Sequence, residues 1–363
     1  MLVSGLLDVA ERNVMGKVAA RPTDGTPAGA TDRAMGTAAL PGRHVLDRST
    51  LDTLEGRSDA RGFAQLAVHL AIILATGTLV ALARDAGAAP LRIALLLPAL
   101  VLHGIALVTL FACVHETVHM TAFRSLRANK VVGWLAGAAT FYNHTLYRRF
   151  HHWHHRYTQD PARDPELSDP KPRTMGQLWL RLSGLPFWMG KLGDLRDGVT
   201  GAIAARPYIP ARVAGEVVRS LRLQVALYGA ILGAAALAGR LDLPLLYWLL
   251  PMVLAQPLLR IILLSEHTGC SEDTNGLTNT RTTLASWPVR LMMWNMPFHA
   301  EHHLYPAVPF HRLPTAHERI RAHLAHVTEG YRASARAVTS AVGAPASEAA
   351  GAGPTGAVPA VEP

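Results

Sequence analysis

The chain has 363 residues, half of them hydrophobic and only 17% charged, with a positive mean hydropathy. This composition argues against two soluble domains and for a membrane protein. The formal charge of +9 would suit a nucleic-acid binder if it were spread in basic patches, but sixteen Lys and Arg fall between residues 124 and 222 and the apolar-flanked loops near Arg84 and Arg240 carry few; the asymmetry reads as topology and not as a nucleic-acid surface.

In chain order, residues 1–55 contain Thr, Asp, Gly and Pro without a periodic apolar face and are expected to be poorly ordered. The first fifty residues also lack the apolar core of a secretory signal. Four segments then approach the roughly 20 apolar residues of a spanning helix: 63–82, 91–114, 223–238 (the shortest) and 243–264. A Gly/Pro turn between the first two makes them an antiparallel hairpin. The basic, histidine-bearing side is expected to be cytoplasmic. Residues 131–142 are apolar but too few to cross, so they are expected to be re-entrant or buried. The stretch 175–202 mixes apolar and aromatic side chains with Arg181, Lys191 and Arg196, as a helix lying in the interface does. Thr315-Ala316-His317-Glu318 has capping-box spacing and is expected to open a polar helix to about Arg332, with His317 at the surface. Residues 333–363 read as a disordered tail, which leaves 56–332 as the membrane domain.

Three histidine clusters punctuate this plan. His115 and His119 stand at i, i+4 where the second apolar segment ends; His151, His154 and His155 share one helical face at i, i+3, i+4; His299, His302 and His303 repeat that spacing. Asn295 is a plausible cap near the start of the third. With a non-crossing segment between the first two clusters and two crossings before the third, all three surface on one side. Neutral imidazole binds iron, copper and zinc, and the only two cysteines, Cys113 and Cys270, offer neither a disulfide framework nor a thiolate zinc site. Eight histidines exceed what one ion takes. Two ions fit better, with His267 at the exit of the fourth span as a ninth ligand. Asp160, Asp164, Glu116 and Glu301 are candidates to accept N–H bonds from ligand rings, and His152, which leaves the shared face, is assigned to the surroundings of the centre. No further catalytic side chain is singled out.

The order His-x-x-x-His, His-x-x-His-His, His-x-x-His-His between hydrophobic hairpins resembles the membrane fatty acid desaturase superfamily over roughly residues 60–330. The resemblance implies an all-α integral membrane protein of four transmembrane helices with a cytosolic helical cap. It further implies a non-haem diiron centre, two Fe ions using O2 and two electrons, held by His115, His119, His151, His154, His155, His267, His299, His302 and His303. Leu263 stands where stearoyl-CoA desaturases carry an Asn four residues before the additional His. Glu266-His267-Thr268-Gly269 looks more like the corresponding segment of alkane monooxygenases and some carotenoid hydroxylases. Two outcomes stay open: desaturation of an acyl-lipid or acyl-CoA, or hydroxylation or ketolation of a lipid, alkane or carotenoid. A metal-binding transporter or sensor is a third, non-enzymatic reading, but transporters place ligands near the bilayer midplane, and these clusters lie at helix ends. With no His-Pro-Gly-Gly haem stretch and too few cysteines for an iron–sulfur cluster, electrons are expected from a separate ferredoxin, rubredoxin or cytochrome b5 type of carrier.

Overall fold

The computed structural model describes residues 42–342. It begins with α1, Arg48–Leu54, capped by the Asp47 carboxylate, which accepts from the Thr50 N–H at 2.7 Å. Leu46 and Leu54 are buried against Phe298, Leu304 and Leu313, so the expected disorder up to residue 55 does not extend over this part. Residues 1–41 and 343–363 lie outside the described residues.

Four helices are long and apolar enough to cross a membrane, in agreement with the four segments read from the sequence. The first is α2, Asp59–Arg84. The second is built from α3, Ala89–Thr109, and α4, Phe111–Val118, joined through a turn at Leu110. The short α5, Leu126–Ala139, follows; its 14 residues reach about 21 Å, too little to cross a ~30 Å core. It buries Asn129, Gly133 and Ala136 and exposes Val131 and Leu135. Next comes α6, His144–Tyr157, capped by Asn143, whose Oδ1 accepts from the Leu146 N–H at 3.0 Å.

The interfacial stretch forms two helices, α7, Met175–Leu182, and α8, Leu185–Thr200, because Gly184 takes a left-handed φ of 75° between them. Trp179, Leu185, Met189 and Leu192 stay exposed. The third span, α9, runs over Ala211–Leu237. It is longer than its apolar core predicted, because Arg212, Glu216 and Arg219 continue the helix in polar sequence. The fourth, α10, Asp242–His267, contains a π-turn at Leu245–Leu249. Large apolar side chains such as Leu74, Leu97, Leu102 and Leu223 are exposed on these helices, as lipid-facing positions are. A Cβ at Gly104 would run into the Pro251 carbonyl; only glycine lets the second and fourth spans meet backbone to backbone.

The remaining elements form a helical cap: β1, Thr282–Thr283; α11, Trp287–Met292; α12, His299–Leu304; α13, Leu313–Ile320; β2, Val327–Thr328; and α14, Gly330–Ala341. The two-residue strands pair in parallel, Thr282 with Val327. The expected capping box at Thr315 does not form. Pro314 suits only a first helical turn, so α13 starts at Leu313, without a side-chain cap, and buries Leu313, Ala316, His317 and Ile320. The polar helix to Arg332 is replaced by α13, a short 3-10 turn, β2 and α14; the last carries helix to Ala341, into the segment expected to be disordered. Asn295 caps nothing: Phe298 stands before α12, and the Asn295 amide donates to the Phe310 carbonyl at 3.1 Å. The molecule is an all-α membrane-type fold of four spanning helices with a helical cap.

Candidate metal centre

Four elements converge. His115 lies on α4 and His119 just beyond it, where Met120 turns the chain at a left-handed φ of 61°. His151, His154 and His155 come from α6, His267 ends α10, and α12 carries His299, His302 and His303. The inferred topology thus has its structural counterpart: the ends of the second and fourth spans meet the cap at one place.

Eight of the nine rings sort into two groups. His115, His119, His151, His155 and His302 can bring one nitrogen each to within 4.8 Å of all the others; His154, His267 and His303 form a second such set. His299 lies beside both, its ring 5.8 Å from that of His115, 5.3 Å from His267 and 4.6 Å from His303.

In the larger group, the Nε2 atom of His302 stands 3.1 Å from Nε2 of His155 and 3.2 Å from Nε2 of His119, and Nε2 of His155 stands 3.0 Å from Nε2 of His151. A neutral imidazole has one N–H, so these contacts cannot all be hydrogen bonds. A cation about 2.1 Å from each nitrogen places adjacent donors about 3 Å apart, which is the spacing seen. Burial, reinforced by the neighbouring imidazoles, holds His119, His151, His155 and His302 well below the usual histidine range, so their lone pairs are available at neutral pH.

In the smaller group the tautomers are set from outside. His154 Nδ1 donates to Asp164 at 2.9 Å, His267 Nδ1 to the Asn279 carbonyl at 3.1 Å, and His303 Nδ1 meets the Thr158 hydroxyl at 3.3 Å. All three Nε2 atoms are buried without a hydrogen-bond partner. Those orphaned acceptors, with ring centroids 4.8 to 5.0 Å apart, are what metal ligands look like before the ion is counted. Burial opposes a charge on His154, but Glu166 and Asp164 outweigh it and raise its pKa. Asp164 is held below the usual carboxylate range despite its burial, by His154 and by the N–H groups of Gln159 and Glu166.

The acidic candidates divide. Asp164 meets an imidazole, accepting from His154 Nδ1. Asp160 does not: its carboxylate accepts from Arg163 at 2.8 Å and from the Ala162 N–H at 2.9 Å, closing its own turn instead of reaching an imidazole. Glu116 accepts from the Phe310 N–H at 2.9 Å, which ties the cap to α4. Glu301 is fully buried and bonds His317 Nδ1 and the Thr282 hydroxyl, each at 2.5 Å. His317 is therefore interior, because Glu301 needs a donor that no sequence-local residue supplies. His152 stacks on His119 at 5.4 Å between ring centroids and meets the Val118 carbonyl through Nε2 at 3.1 Å.

Two acids were missed. Glu266 Oε2 is 3.4 Å from His299 Nε2, and Glu166 Oε2 is 3.7 Å from His154 Nε2. Adjacency to His267 was a signal for Glu266. Glu166 sits in a single 3-10 turn, Pro165–Ser168, after the second cluster, where helical spacing says nothing. A cavity of about 350 Å³ opens beside the centre, its walls combining Phe111, Phe150 and Leu263 with His115, His151, His267 and His299.

Four apolar spans, a helical cap and three histidine clusters meeting at one place define a membrane-type protein with a histidine-rich candidate metal centre, and comparison with known proteins makes the class specific. The family model described as fatty acid desaturase matches residues 49–335. The chain belongs to the fatty acid desaturase family, whose members depend on iron. It is 27% identical over 224 residues to dihydrorhizobitoxine desaturase of Bradyrhizobium elkanii, covering 57% of this chain and 62% of that protein. It is 30% identical over 105 residues to sn-1 oleoyl-lipid 12-desaturase of a Picosynechococcus strain, covering 27% of this chain and 30% of that protein. The matched region is thus less than two thirds of either relative's length.

Proposed function

We propose that the protein is an O2-dependent non-haem diiron desaturase that introduces a C=C bond into a fatty acyl chain carried as an acyl-lipid or acyl-CoA. The observation that carries this reading is the convergence of nine imidazoles, all buried but the half-buried His119, eight of them in two groups whose ring nitrogens lie close enough to share an ion and His299 beside both. His115, His119, His151, His155 and His302 would hold one iron and His154, His267 and His303 the other, with His299 between them. When bound, the iron pair supplies the power to reduce O2 to two waters, using two electrons and two protons from outside and two hydrogens from the substrate.

The chain's own residues do the rest. Asp164, Asn279 and Thr158 keep Nδ1 of their partners occupied, so that Nε2 faces the centre. Phe111, Phe150 and Leu263 give an acyl chain an apolar wall beside His115 and His267 and exclude water there. The excess of Lys and Arg on the histidine side supports a multi-pass protein with that face cytoplasmic, within reach of a soluble ferredoxin or rubredoxin or a membrane-bound cytochrome b5.

Expression in a bacterium with a matched electron donor, followed by profiling of total fatty acids and iron, tests the proposal. The expected result is two irons per chain and a product lighter by two hydrogens. A product heavier by one oxygen would instead establish a hydroxylase, and unchanged lipids with folded, iron-loaded protein would remove the reading.

A further inference from the structure

The cavity beside the histidines is walled by basic residues as well as apolar ones, and nearly all of them have a carboxylate. Lys171 lies 3.1 Å from Glu272, Arg181 is paired with Asp169, and Lys191 and Arg206 share Asp194 at 3.1 and 2.7 Å. Arg260 is the exception. Among the described residues no carboxylate lies within ion-pair distance of its guanidinium. One Nη2–H donates to the Tyr142 hydroxyl at 3.1 Å, Cζ lies 4.6 Å from the centroid of the Phe187 ring, and Nε is buried without a hydrogen-bond partner. The nearby acids are engaged elsewhere, Glu166 towards His154 and Glu266 towards His299.

Position makes this cation interesting. Arg260, Leu263, Leu264 and His267 all line the cavity from one face of α10. The guanidinium therefore stands two turns, about 10 Å of helix, from a candidate iron ligand, with leucines between. Arg260 is half-buried, and Glu166, Asp169 and Glu266 feel its charge only from beyond ion-pair distance; a planar guanidinium fork left with free donors matches a carboxylate or phosphate better than any other side chain. Lys191, 4.4 Å over the opposite partner in this cluster, the Tyr142 ring, adds a second positive group to the same corner.

We propose that Arg260 seats the oxyanion at the head of the substrate, so that the protein takes a single-headed anionic amphiphile whose tail runs past Leu263 and Leu264 to the histidines. This rests on the desaturase chemistry proposed above and replaces the acyl-lipid or acyl-CoA carrier with a chain that keeps its own acid or phosphate head: that head is bound inside the cavity, and the reacting carbon is selected by its distance from it. A neutral ester of the same tail lacks the anchor.

Binding without turnover separates the two ideas. Iron-loaded protein in neutral detergent, kept anaerobic and without electron donor, would be titrated calorimetrically with dodecanoate, dodecyl phosphate and methyl dodecanoate. The ratio of wild-type to Arg260→Gln affinity cancels partition into the micelle. That ratio is expected to be ~10–100 for at least one of the two anions and within about twofold for the ester. The two anions distinguish a carboxylate head from a phosphate head. Arg260→Lys, which keeps the charge and loses the fork, should retain part of the anion affinity. Equal losses for all three ligands, in either variant, would make Arg260 a packing partner of Phe187 and Tyr142 and overturn the proposal. So would discrimination that vanishes when the protein is moved from phosphatidylcholine to phosphatidylglycerol vesicles, since the fork would then be occupied by bilayer headgroups. Failure of the lipid profiling would leave this binding result standing, whereas desaturation without head-group discrimination would remove this inference alone.

Discussion

In the group of five, His155 and His302 face each other and their neighbours nitrogen to nitrogen at 3.0 to 3.2 Å; in the group of three, each ring is tied outward through Nδ1 to Asp164, Asn279 or Thr158. The first arrangement concentrates lone pairs and needs a cation to be favourable. The second is aimed beforehand by groups that stay bonded whether or not a cation is present. The difference teaches that one fold can build two neighbouring candidate metal sites by opposite means, and that they should respond differently to the same insult.

The most damaging change should be His302→Ala, since that ring contacts both His119 and His155. Loss of a ligand should exceed the roughly 10–100-fold loss in affinity typical of removing a ligand's outer partner, and activity should fall with it. Elemental analysis should find about one iron per chain; two would show that the five-ring group is not a site of its own. Asp164→Asn comes next. It should weaken one ion by ~10–100-fold and leave the other, giving two-phase loss to a chelator; a single phase would mean the groups are one unit.

The comparison sharpens with pH. In the metal-free protein His119, His151, His155 and His302 have folded pKa values far below the unfolded value of about 6.5. As pH falls through that value the unfolded chain takes up protons that the folded site refuses, so stability declines towards acid. Above about pH 7 this penalty is absent. Thermal unfolding of metal-free protein in detergent should therefore show a lower midpoint at pH 5.5 than at 7.5, and equal midpoints would refute the assignment of neutral rings. The smallest effect belongs to Asp160→Asn, a partly exposed pair with Arg163, which should stay within about 0.5 kcal/mol and keep both irons.

The histidine clusters were legible because helical spacing is a local property: i, i+3 and i+4 mark a shared face before any tertiary contact is known. The four spans were legible for a similar reason, as length and apolar content are set by the bilayer. Choosing Asp164 over Asp160 was not possible from sequence, since both follow the second cluster in the same turn and only the folded loop turns one towards His154. The pairing of Glu301 with His317 and the placing of Glu166 at the centre come from contacts between separate elements, which no periodicity encodes. The start of α13 was misread because a capping-box pattern outweighed Pro314, although apolar burial of Leu313 and proline geometry both favour the earlier start.

The crossing at Gly104 and Pro251 has a consequence for the histidine centre far above it. His115 and His267 lie about 16 and 24 Å of helix beyond that contact, so the two spans work like the blades of a pair of shears riveted at the glycine. A single methyl group wedged into the rivet would press the spans apart at the Pro251 carbonyl and shift the tips that carry His115 and His267.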